Sequence, residues 1–209
     1  MDRLWDWLQR ASVAKERLLH RVVPGRMNVA YVWTLRPHKC PCDVDFCDWL
    51  RDRGVRGRAV FHFGTGAHHL VGLRNRADGL DNEVLGITAS PTEHAFYVRR
   101  VVWDPSLGAH YRVLFADVYD LAPGALPRLD VATLFHLGEF TPDPAQGRRL
   151  DDAGLIELMR SQLTPGGRLL FYPGSWAYES VRPLVEGAVA DGRLIPDEQY
   201  RSLAVFRTS

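Results

Sequence analysis

The sequence predicts an α/β domain of three layers, helix–sheet–helix, around a mostly parallel central sheet. Three observations predict it. Short apolar runs alternate with helical stretches across residues 58–207. The first run ends in Gly64-Thr65-Gly66, the sharp strand-to-helix turn that lets a ligand approach the backbone at the edge of such a sheet. The chain has 209 residues, 46% hydrophobic and 24% charged, enough for one domain with a core and a modest extension.

From the N-terminus, Leu4, Leu8, Ala11, Leu18 and Val22 keep near-helical spacing until Pro24. Residues 2–23 read as an amphipathic helix packed on the domain, with a lid or a homodimer helix as the alternative. Residues 28–35 alternate weakly and fit a strand or an irregular segment. Residues 43–53 read as a short helix with Phe46, Trp49 and Leu50 on one side, ended at Arg53-Gly54. Residues 1–57 therefore form a helical cap and 58–209 the α/β domain. Trp5, Trp7, Trp33 and Trp49 are candidates to cover a cleft or to pack.

Within the domain, strands are expected at 58–63, 83–88, 111–116, 129–136, 168–172 and 203–207. A short helix or turn is expected after Gly66 to about residue 74, and helices at 91–102, 151–163 and 176–191. Ser90 is the expected N-cap before Pro91. Pro165-Gly166-Gly167 is the expected turn before the fifth strand.

Charge and cysteine usage exclude several classes. Lys and Arg total 26 against 25 Asp and Glu, so there is no global basic field for nucleic acid. No run approaches the ~20 apolar residues of a membrane span, and the first residues lack the pattern of a secretory leader. A cytoplasmic protein with reduced thiols is expected. Its three cysteines lie in His38-x-Cys40-x-Cys42-x4-Cys47; Cys-x-Cys is tighter than the usual zinc knuckle, and no metal is assigned to it. A dinucleotide fingerprint would want a further glycine where His69 stands.

Five segments in order resemble the motifs of class I S-adenosylmethionine-dependent methyltransferases, over about residues 58–207. They are Val60–His68, Val84–Pro91, Phe115–Leu121, Leu129–Glu139 and Leu163–Leu170. The resemblance implies the Rossmann-like fold of that superfamily, S-adenosylmethionine as cofactor, and methyl transfer to an O or N atom of a small molecule. It implies cofactor contacts at His62, Phe63, Gly64, Thr65 and Gly66, at Thr88 and Ala89, at Asp117 and Val118, and at Phe135. His136 would be the proton acceptor, and Glu139, Trp176 and Tyr178 would face the substrate. The chain is a divergent member by this reading. His62 replaces the usual first-strand carboxylate, His68 the third loop glycine, and Thr88 the acidic residue that holds the ribose. Two alternatives follow from those departures: a non-catalytic binding or scaffold protein of the same fold, or a metal-dependent enzyme using His62, His68, His69 and His136.

Overall fold

The computed structural model describes residues 32–140 and 149–208, and Ala11 by itself. The helix expected over 2–23, with Trp5 and Trp7, lies outside the described residues apart from Ala11. Residues 32–35, part of the weakly alternating stretch, carry no regular structure.

Seven strands form one sheet: β1 (Ala59–Phe63), β2 (Glu83–Thr88), β3 (Tyr111–Phe115), β4 (Leu129–Thr133), β5 (Leu163–Phe171), β6 (Leu194–Tyr200) and β7 (Leu203–Thr208). Their order is β3-β2-β1-β4-β5-β7-β6. The first five are parallel, and β7 runs antiparallel between β5 and β6. The strand order reverses at β1, whose neighbours are β2 on one side and β4 on the other. An open parallel sheet leaves a crevice at that switch point, outside the C-terminal strand ends.

The helices are α1 (Cys42–Asp52), α2 (Leu70–Ala77), α3 (Pro91–Trp103), α4 (Leu107–His110), α5 (Asp152–Gln162) and α6 (Tyr178–Ala190). A 3₁₀ turn spans Val118–Asp120. Both faces of the sheet are covered. One buries Phe61, Ile87, Ala132 and Leu169 against Leu155 and Met159 of α5 and Val181 and Val185 of α6. The other buries Val60, Val84, Val131, Leu170 and Val205 against Phe46, Trp49 and Leu50 of α1 and Val71 of α2. Strands buried on both faces are near-continuously apolar, as β1 is. α1 therefore shares the core of the sheet, and Trp49 Nε1 donates to Glu198 of β6 at 2.8 Å.

Three expectations need correction. The fourth strand stops at Thr133, and residues 135–139 turn instead of extending to 136. The expected turn at 165–167 is absorbed into β5, where the pairing with β4 shifts between Leu129 and Val131. Of the β6–β7 hairpin the sequence predicts only the last strand, because Ile195, Pro196 and Asp197 of β6 are exposed at an edge and one of them is a proline.

Candidate functional site

A cleft of about 810 Å³, counting the part open to solvent, lies at the C-terminal ends of β1 and β2 and beside the loops after β3 and β4. Trp33–Arg36, Cys40, Cys42 and Asp43, all preceding β1, form its other wall. Ala67 N donates to Trp33 O at 2.8 Å, which stitches that wall to the glycine loop.

The loop after β1 needs its glycines. Gly64 has φ +87°, and a Cβ there would stand 2.9 Å from His136 Cδ2; Gly66 has φ +55°, and a Cβ would stand 2.5 Å from His68 Nε2. Backbone is thus exposed to the cleft where a side chain would block it. The histidine in the third glycine position is used inward. His68 Nδ1 accepts from Leu70 N at 3.2 Å at the start of α2, so the ring proton sits on Nε2, 3.5 Å from Asp43 Oδ2. His62 Nε2 approaches Asp43 Oδ1 at 3.6 Å, while its Nδ1 meets Thr133 Oγ1 at 3.0 Å. Burial alone would raise the Asp43 carboxyl, but His62 and His68 outweigh it and hold it down at about 2. A carboxylate therefore stands at the end of β1 after all, delivered by α1.

The end of β2 is arranged in the same way. Thr88 Oγ1 donates to Glu93 Oε2 at 2.6 Å, and Trp33 N donates to Glu93 Oε1 at 2.9 Å. Glu93 sits at the capping-box position after Ser90, whose Oγ accepts from Glu93 N at 3.4 Å. Its carboxylate does not return to Ser90 N, which donates instead to Thr88 Oγ1 at 3.1 Å. Glu93 lines the cleft yet is 4% exposed, and burial raises its carboxyl to about 7 despite the Thr88 and Trp33 bonds.

Beyond β4, His136 Nδ1 lies 3.1 Å from Glu139 Oε1, which also accepts from Ser175 Oγ at 2.7 Å. Its Nε2 points at Cys42 Sγ, 4.0 Å away, and Cys42 Sγ lies 3.2 Å from Cys40 Sγ. A turn over residues 37–39, closed by Lys39 N and Cys40 N on Arg36 O, brings Cys40 against the first residue of α1. The Cys40 thiol is drawn below its ordinary value by the Cys42 hydrogen bond and the nearby His136, against burial.

Seven of the ten expected cofactor positions line the cleft: Phe63, Gly64, Gly66, Thr88, Ala89, Asp117 and Val118. His62, Thr65 and Phe135 do not. His62 and Phe135 are 1% exposed and pack their rings with Phe46, and Thr65 is equally buried. Among the expected substrate residues, Glu139 is buried on His136. Trp176 is 62% exposed outside the cleft lining, and Tyr178 packs against the core. A base role for His136 meets an electrostatic objection. Burial would lower its pKa, but the Glu139 hydrogen bond and charge raise it to about 9, so the ring by itself is protonated near neutrality.

The four-histidine cluster is not one site. His69 is fixed as a neutral clamp, with Nδ1 2.9 Å from Tyr111 Oη and Nε2 2.9 Å from Glu93 O, and burial pulls it down to about 3. His62 and His68 are taken by Asp43. His38 is exposed, and Cys47 is buried on α1, with its thiol raised by burial. Sequence reasoning missed Asp43, Glu93, Phe140 and the 34–36 segment as cleft residues. The Ser90-x-x-Glu93 spacing was the one available signal, and it reads as a helix cap.

No protein-family model matches the chain, and no curated protein matches it by sequence. Solved structures do. A SAM-dependent methyltransferase from Aquifex aeolicus matches with TM-score 0.52 and 15% identity, over 84% of this chain and 98% of that one. An O-methyltransferase family protein from Burkholderia thailandensis matches with TM-score 0.54 and 16% identity, over 80% and 56%. TrmN from Thermus thermophilus matches with TM-score 0.51 and 17% identity; this chain spans 48% of its length. The chain has the class I methyltransferase fold, in its mostly parallel seven-stranded form. Among the described residues, no helix is long and apolar enough to cross a membrane.

Proposed function

We propose that this chain binds S-adenosylmethionine in the cleft and catalyses methyl transfer to a small-molecule nucleophile. The observation that carries the reading is the pair of carboxylates at the ends of β1 and β2. The motif positions there hold His62 and Thr88, and the fold sets Asp43 and Glu93 beside them at 3.6 and 2.6 Å. Gly64 and Gly66 open backbone to the methionine end of the cofactor. Thr88 and Glu93 offer acceptors for ribose hydroxyls, and Asp117 and Val118 offer the adenine wall.

When bound, the cofactor supplies an electrophilic sulfonium methyl. The chain's own contribution is placement: the 33–36 wall and Phe140 line the cleft around the reactants, and orientation of two reactants supplies most of the acceleration in such a displacement. The near-zero charge balance favours a small acceptor over a nucleic acid.

Calorimetric titration with S-adenosylmethionine and S-adenosylhomocysteine tests the reading. Micromolar binding is expected for both, weakened at least tenfold by Glu93→Gln and by Gly66→Ala. Absence of binding at millimolar ligand by a folded chain refutes it and favours the scaffold alternative.

A further inference from the structure

We propose that Cys40 Sγ, Cys42 Sγ and His136 Nε2 form a three-ligand site for a zinc-class divalent ion on the cleft wall, with a fourth coordination position that faces the cleft and takes a thiol. The three donor atoms all lie within 4.8 Å of one another. A tetrahedral zinc with bonds of about 2.3 Å to sulfur and about 2.0–2.1 Å to nitrogen spaces its donors roughly 3.4–3.8 Å apart. The separations of 3.2 Å between the sulfurs and 4.0 Å from sulfur to nitrogen bracket that range. The sulfur pair is well beyond the ~2.05 Å of a disulfide.

The surroundings match a ligand set better than a packing cluster. Glu139 on Nδ1, itself held by Ser175, fixes the ring with Nε2 turned to Cys42 Sγ, where a binding ion displaces the Nε2 proton; this carboxylate–histidine arrangement orients metal ligands generally. Cys47, on the same helix as Cys42, lies outside this group of donors. Asp43 is close, at 3.6 Å from Cys42 Sγ, but its oxygens face His62 and His68, so the described residues offer three donors. Three protein donors with one position left is the pattern of a reactive zinc and not of a structural one. All three ligands line the same cleft as Gly64, Thr88 and Glu93.

Two thiolates and a neutral imidazole leave the ion with no net charge, and a soft ligand set favours a soft fourth ligand. A thiol binds there as thiolate, its proton going to solvent. Resting on the reading above, that thiolate is the methyl acceptor. Its lone pair forms the new carbon–sulfur bond as the sulfonium–methyl bond breaks, and that bonding pair stays on the donor's sulfur.

The test begins without cofactor. The purified chain, stripped with a chelator, is reloaded with Zn²⁺ or Co²⁺ and desalted. One ion per chain is expected, lost in Cys40→Ser, Cys42→Ser and His136→Ala and kept in Cys47→Ala. Cys40 is only partly buried, so Cys40→Ser folds as judged by circular dichroism. Glu139→Gln is expected to weaken the metal roughly 10–100-fold. The Co²⁺ form should show thiolate-to-cobalt absorption, and 2-mercaptoethanol, but not ethanol, should shift its visible bands. Failure to retain metal, equal retention by the Cys40→Ser and Cys42→Ser variants, or a spectrum indifferent to the thiol overturns the inference. Titration of the loaded chain with S-adenosylmethionine separates the two readings: a thiol-responsive metal without cofactor binding keeps the site and overturns only the methyl-acceptor role.

Discussion

Replacing Glu93 by Gln separates a structural cost from a binding gain at one side chain. The Glu93 carboxyl lies at about 7 in the folded chain, against 4.5 for the free group, because burial at 4% exposure outweighs the bonds from Thr88 and Trp33. The folded state therefore holds a proton that the unfolded chain releases between those values. Stability from this group is complete below pH 4.5 and is lost as the pH rises towards 7. At about 1.36 kcal/mol per unit, the difference between 4.5 and 7 amounts to about 3 kcal/mol. A neutral glutamine keeps its carbonyl for Trp33 N and turns its amide to Thr88 Oγ1, so it imitates the protonated acid. Urea denaturation of both proteins across pH is the assay. Near pH 4 the two should be nearly equal; near pH 8 the variant should be more stable by up to about 3 kcal/mol. Taking the difference between proteins removes the contribution of His136, which titrates in both. Cofactor affinity should move the other way. Ribose hydroxyls donate better to a carboxylate, so the variant should bind S-adenosylmethionine about 10–100-fold more weakly above pH 7, the range of about 1.5–3 kcal/mol for a charged hydrogen bond. A stability difference that does not change with pH would refute the assignment of a buried, displaced carboxyl to Glu93.

Three further substitutions test the frame around the site. Gly66→Ala puts a Cβ 2.5 Å from His68 Nε2 at φ +55°, and should cost about 1–3 kcal/mol together with most cofactor affinity, read by thermal melting and calorimetry. Gly72→Ala drives a Cβ to within 2.3 Å of the Tyr111 ring between α2 and the sheet; it should lower Tm by several degrees, at roughly 2–4 °C per kcal/mol, while affinity at a temperature where the chain stays folded is unchanged. Asp151→Ala removes the cap in which Asp151 Oδ1 accepts from Gly154 N at 2.7 Å, and should lower the urea midpoint by the equivalent of about 1 kcal/mol without touching cofactor binding.

The strands, the glycine turn and the helix starts were legible along the chain because each is a local signal. Alternation of apolar runs identified β1 to β5 and β7, Ser90-Pro91 marked the start of α3, and Gly64 and Gly66 mark positive φ that other residues rarely adopt. β6 escaped because an exposed edge strand lacks that alternation.

The chemistry of the cleft was not legible in the same way. The residues that look like losses in the motif, His62, His68 and Thr88, have partners from other segments: Asp43 on α1, 19 residues before His62, and Glu93 on α3, which also binds Trp33 from 60 residues away. Cys42 and His136 are 94 residues apart and meet only because α1 packs over the end of the sheet while β4 stops at Thr133 and turns back. The sequence by itself determined the sheet, its glycine turn and the residue types available. Only the tertiary structure decided which of them meet, because hydrogen bonds and ligand sets act over about 3–4 Å and depend on where remote segments cross, whereas the periodicity of a strand or helix is complete within its own few residues.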